Sequence, residues 1–106
     1  MDNKYCVIIT TYEHKEEAGI LARLLVDERL AACVQMFPIE SVYFWNGQVR
    51  DGAEIVLFIK SKTVLFERVQ AVIRDHHPYE VPEIIQIPIT AGLPDYLRWI
   101  EESTRL

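Results

Sequence analysis

Asn46-Gly47 stands between two long runs rich in β-branched and aromatic residues, and no other pair constrains this chain as much. Both residues tolerate positive φ, as a two-residue type I′ turn requires, so the pair predicts a β-hairpin. Ser41-Val42-Tyr43-Phe44-Trp45 leads into it, and the returning strand runs from Gln48 toward Lys60. Asp51-Gly52 reads as a bulge in that return. Such a hairpin is long for a chain of 106 residues. Its tip carries Tyr43, Phe44 and Trp45 far from any core that one chain can supply. A monomer should not leave that aromatic surface wet, so the expectation is an assembly of several chains.

The hairpin divides the chain into two halves. Tyr5-Cys6-Val7-Ile8-Ile9-Thr10-Thr11 is almost continuously apolar and reads as a central strand buried on both faces. Glu13 to Leu30 is the first helix, with Ala18, Leu21, Ala22 and Leu25 as its apolar stripe and Glu13, Glu16 and Glu17 at the positive end of its dipole. The second strand, Ala31 to Phe37, is broken by Pro38 before it resumes at Ser41. After the hairpin, Thr63 is placed to cap a second helix from Val64 to about Asp75. A fourth strand follows from Glu83 to Ile89, where Pro88 indicates an edge or an end. Pro94 suits the first position of a short last helix carrying Leu93, Leu97 and Ile100. The fold class expected is α+β: a ferredoxin-like βαββαβ sandwich in one domain, residues 1–106, with an extra C-terminal helix and a long hairpin between the second and third strands.

Composition removes several classes of function. A net charge of −5, with 11 scattered Lys and Arg, argues against nucleic acid as a partner. No apolar run reaches the length of about 18 residues that a membrane span needs. Met1-Asp2-Asn3-Lys4 leads straight into a strand without an apolar leader, and Cys6 and Cys33 lack metal or redox spacing. A cytoplasmic protein with reduced thiols is the expectation.

The stretch His76-His77-Pro78-Tyr79-Glu80-Val81-Pro82-Glu83 is where chemistry could sit. A helix must stop and a strand begin within it, because each proline lacks an N–H and pushes its predecessor out of the α region. Two adjacent imidazoles at a helix end can converge on Cu(II) or Zn(II) if the backbone leaves the helix there. Against that, His76 continues the Leu65, Val69, Val72 face and could cap the core, and a histidine at a helix C-terminus suits the dipole. Tyr79, Glu80 and Glu83 have the residue types for acid–base work, but spacing alone brings no second group to them, and an ion pair or a contact across subunits serves equally. Cys33 could be a soft ligand or a small buried hydrophobe.

Taken together, Glu28-Arg29-Leu30-Ala31-Ala32-Cys33, Tyr43-Phe44-Trp45-Asn46-Gly47, His77-Pro78-Tyr79-Glu80-Val81-Pro82-Glu83-Ile84-Ile85 and Pro94-Asp95-Tyr96-Leu97-Arg98-Trp99-Ile100 resemble the CutA divalent-cation-tolerance family. They span nearly the whole chain in the family's order. The resemblance implies a homotrimer whose long hairpins cross between subunits, a cytoplasmic role in copper and divalent-cation tolerance, and no enzymatic activity. It also implies an architectural likeness to trimeric PII signalling proteins. In metal-binding members the copper site uses adjacent histidines of this loop with a cysteine near the end of the first strand. The histidines carry over onto His76 and His77. The cysteine's position falls at Thr10, where this chain has no thiol. The expected function is therefore a trimeric protein that binds Cu(II), or another divalent cation, through His76 and His77.

Three other classes compete with it, the least specific being a structural interaction partner, with which the excess acidic charge and a rigid trimer are compatible. A PII-like small-molecule sensor or signalling protein would use clefts between subunits, though no Gly-rich phosphate loop is visible. An acylphosphatase-like enzyme would need an arginine cradle near the end of the first strand, and Thr10-Thr11-Tyr12-Glu13 offers none.

Overall fold

A computed structural model describes residues 3–105. Four antiparallel strands form one sheet in the order β2-β3-β1-β4, with β1 spanning Tyr5–Tyr12, β2 Cys33–Trp45, β3 Gln48–Lys62 and β4 Ile84–Pro88. Helices α1 (Lys15–Asp27) and α2 (Phe66–His76) are the two crossovers, and α3 (Pro94–Ser103) follows the last strand. This is the ferredoxin-like βαββαβ order with one helix added.

Side-chain alternation sorts the sheet into two faces. Cys6, Ile8, Thr10 and Tyr12 of β1 are fully buried, beside Leu57 and Ile59 of β3, Leu21 and Leu25 of α1, and Val69 and Ile73 of α2. Each large apolar side chain buried this way contributes about 1.5–3 kcal/mol. The other face carries Val7 and Ile9, opposite Lys60 and Phe58 on one side and Ile87 and Ile85 on the other. α3 covers one end of that face. Its Glu101 meets Lys62 at 3.2 Å and Lys4 at 2.8 Å, and the Lys60 ammonium donates to the Tyr96 hydroxyl at 3.3 Å. The remainder is apolar and open: Phe37, Ile85 and Ile87 are all exposed. The first strand, expected to be buried on both faces, is thus fully buried on one face only within a single chain.

The hairpin forms as its turn chemistry requires. Asn46 and Gly47 adopt φ of 52° and 77°, and the ladder runs without interruption from Trp45↔Gln48 to Cys33↔Lys60. Two expectations are corrected here. Asp51 and Gly52 pair one-to-one with Val42 and Ser41, so there is no bulge; the two-residue turn already sets a register that needs no extra residue. Pro38 does not break β2 but sits opposite Ile55. β2 is an edge strand, where a missing N–H can face away from the ladder.

Two boundaries also move. α1 ends at Asp27 because Arg29 turns into the left-handed region at φ 58°, and the N–H groups of Leu30 and Ala31 fold back onto the Leu25 carbonyl. Thr63 opens a short 3₁₀ turn, Thr63–Leu65, rather than capping α2; its hydroxyl donates to the Asn3 carbonyl at 2.8 Å. Pro94 stands in the first turn of α3 and Pro88 at the end of edge strand β4, both as the sequence predicts. No helix among the described residues is long and apolar enough to cross a membrane.

Candidate functional site

The exit from α2 separates the two histidines. His76 is the last helical residue and is exposed; its Nδ1–H donates to the Val72 carbonyl at 2.9 Å, which leaves Nε2 free. His77 has already left the helix, at φ −89° and ψ 133°, the extended conformation that Pro78 imposes on its predecessor. One residue of extended backbone turns the second ring inward.

His77 is buried, and both of its nitrogens are occupied. Nε2 lies 2.6 Å from the Thr11 carbonyl, which can only accept, while the Tyr79 N–H donates to Nδ1 at 3.1 Å. That pair of partners assigns the neutral ring with its proton on Nε2. Tyr12 and Tyr79 pack against the ring, with centroids at 4.2 and 4.6 Å. The alternative in which His76 caps the core does not hold: His77 faces the core and His76 faces solvent, because the helix ends between them.

Around this ring the end of β1, the loop and the middle of the hairpin meet. Thr10 and Tyr12 are fully buried, and among the described residues neither the Thr10 Oγ1 nor the Tyr12 hydroxyl has a hydrogen-bond partner. Burial pushes the Tyr12 phenol up to about 12. The Tyr79 phenol is also raised, chiefly by burial and then by the charges of Glu54 and Glu13. Glu54 accepts a hydrogen bond from the Ser41 hydroxyl at 2.7 Å. Ser41 and Glu54 were not singled out from sequence, yet a signal was there: a two-residue turn at 46–47 sets Ser41 opposite Gly52 and diagonal to Glu54. Glu80 and Glu83 are exposed.

As a metal centre this neighbourhood offers one ready donor. His76 presents a free Nε2, His77 has neither nitrogen free, and the Thr10 hydroxyl is a poor substitute for a thiolate. Among the described residues no three of His, Cys, Asp and Glu converge as a metal site would need. Both cysteines are free thiols; Cys6 is buried and its pKa is pushed up to about 11 by that burial, so it stays protonated. Cys33 is half-buried on β2.

Comparison with known proteins follows the same lines. Residues 6–103 match the family described as CutA1 divalent ion tolerance protein. The Divalent-cation tolerance protein CutA of Thermus thermophilus is 40% identical over 99 residues, covering 92% of this chain and 96% of that one. The chloroplastic Protein CutA of Arabidopsis thaliana is 43% identical over 100 residues, covering 93% of this chain but only 55% of the plant protein. The chain thus spans about half the length of that relative. The crystal structure of CutA1 from the psychrotrophic bacterium Shewanella sp. SIB1 superposes with a TM-score of 0.94 at 34% identity, over 98% of each chain. With the family match spanning nearly the whole chain and the fold shared with solved members, the chain belongs to the CutA1 divalent ion tolerance family.

Proposed function

We propose that this protein acts in divalent-cation tolerance by binding Cu(II) weakly as a homotrimer, without a catalytic role. The observation that carries the metal reading is the bonding of His76. A metal-ligating histidine ordinarily donates its second ring N–H to a carbonyl or carboxylate, which fixes the tautomer and aims the other nitrogen outward. Val72 supplies that carbonyl, and Nε2 is the nitrogen left over. His77 joins as a second ligand only by giving up the Thr11 carbonyl or the Tyr79 N–H. Absence of a thiol at position 10 lowers affinity further, and imidazole nitrogen favours Cu(II) over Zn(II).

The homotrimer is supported by exposed apolar surface in two places. Val42, Phe44, Trp45 and Val49 at the hairpin tip are 60–74% exposed in one chain, and Phe37, Ile85 and Ile87 lie open on the sheet face that α3 leaves bare. Patches of this extent on a soluble protein mark interfaces. Light scattering during size-exclusion chromatography tests it, and a monomeric mass at micromolar concentration refutes the assembly. Free Cys6 and Cys33 thiols favour a reducing compartment such as the cytoplasm.

Titration calorimetry with Cu(II) tests the metal reading on the parent, His76→Ala, His77→Ala and the double variant. His76→Ala should lose most of the binding, and all binding should weaken between about pH 7 and about pH 5, since a ligating imidazole must be neutral. Unchanged affinity in the double variant places the metal elsewhere.

A further inference from the structure

A groove of about 470 Å³ lies between α1 and α2, on the side of the helices away from the sheet's open face. Its lining divides by chemistry. Leu24, Leu30, Ala71 and Val72 make an apolar floor, while Arg68, Arg105, His76 and Glu28 stand around it. The one acid is engaged: Glu28 meets Arg105 at 3.6 Å, with both side chains about half exposed. Ion pairs of that length and exposure contribute little and exchange readily. Arg68 makes no ion pair and no side-chain hydrogen bond among the described residues. A free guanidinium and a loosely held second one therefore flank an apolar trough, on a molecule whose net charge is −5.

We infer that this groove binds a small monocarboxylate with an alkyl tail. A guanidinium takes a carboxylate through two parallel N–H donors, and a planar fork beside an apolar floor selects for a ligand with both features. The volume falls in the range of small-ligand sites, about 300–1,000 Å³. A phosphate or other fully polar anion leaves the Leu24 and Val72 side of the trough wet, and a neutral alkane leaves the Arg68 fork unanswered. Arg105 exchanges Glu28 for the ligand carboxylate at little loss. The proposed trimer surfaces are the hairpin tip and the sheet's open face, so assembly leaves the groove accessible.

Octanoate is the probe, with octanol and acetate as its two halves. Amide NMR shifts of the metal-free protein should move saturably at Glu28, Arg68, Ala71 and Val72 with octanoate, at concentrations below its micelle point. Octanol and acetate should each bind at least five-fold more weakly. Arg68→Ala should weaken octanoate at least five-fold and Arg68→Lys by less, while Cu(II) binding stays as in the parent, because His76 borders the groove but Arg68 is no ligand of the proposed metal. Equal affinity in Arg68→Ala overturns the inference, as do shifts that map to the hairpin tip. Groove shifts that depend on protein concentration without ligand also overturn it, since they make a second copy the occupant.

Discussion

His77 and Arg29 each hold a distant piece of backbone, and each can be tested by a pair of substitutions. His77→Phe keeps a ring between Tyr12 and Tyr79 but strands the Thr11 carbonyl and the Tyr79 N–H. The expected loss is about 1–3 kcal/mol in chemical denaturation, with little change in copper affinity, because His76 keeps its free nitrogen. A variant that stays fully stable and loses copper would reverse the two histidines' roles. Arg29 sits at φ 58°, and its guanidinium donates to the carbonyls of Glu102 at 2.6 Å and Ser103 at 3.3 Å, caps for the last turn of α3. Both Arg29→Ala and Arg29→Gly lose those bonds, but glycine also relieves the left-handed backbone, worth about 1–2 kcal/mol. The glycine variant should therefore melt higher than the alanine one, the reverse of their order inside a helix. Glu28-Arg29-Leu30 belongs to the family resemblance, yet the role of Arg29 is not legible in it, because its partners lie 73 and 74 positions along the chain.

At the scale of elements, what the sequence made legible is what local chemistry decides. The turn at Asn46-Gly47, the proline opening α3 and the apolar stripe of α1 depend on neighbours within a few residues, and each stands where it was expected. Gly47 at φ 77° makes the turn testable: Gly47→Ala should cost about 1 kcal/mol in thermal stability and leave the fold's circular dichroism unchanged. Pairings between distant segments were less legible. Thr63 has the chemistry of a cap, but the nearby Asn3 carbonyl is the acceptor it finds. Pro38 has the chemistry of a break, but an edge position absorbs it. The histidine pair was located correctly as residues at a helix exit. Which ring turns inward depends on one ψ angle, 133° at His77, and no periodicity encodes that. Ser41 and Glu54 follow from the hairpin register, but only once the register is known to run without a bulge.

For the whole molecule, two sets of buried or paired groups make stability depend on pH. The carboxyl of Glu101 is held below its ordinary value of 4.5, first by the hydrogen bond from Lys4 and then by that from Lys62. A carboxylate depressed in the folded state stabilises above its ordinary pKa, and that contribution is lost as the pH falls below about 4.5 toward the folded value. Glu101→Gln should flatten the acid side of a melting-temperature series over that interval. The alkaline side rests on Cys6, raised from 9.0 to about 11, and Tyr12, raised from 10.0 to about 12, both by burial. Their folded-state protons are held more tightly than in the unfolded chain, so stability is intact below about pH 9 and falls as the pH climbs through the range of about 11–12. Cys6→Ala should move the onset of that fall upward. The unbroken ladder between β2 and β3 has a further consequence, in time rather than in equilibrium. Its rungs close outward from Trp45↔Gln48, each adding two residues to a loop already shut, so zippering from the turn needs no other part of the chain. The rungs between β1 and β4, from Thr10↔Ile84 to Cys6↔Pro88, must instead bring residues together across most of the sequence. A chain leaving the ribosome can therefore hold the aromatic ribbon before β4 and α3 have been synthesised. For that interval Phe44 and Trp45 are displayed on a sheet that still lacks its fourth strand and last helix, a window in which the growing chain is open to wrong partners.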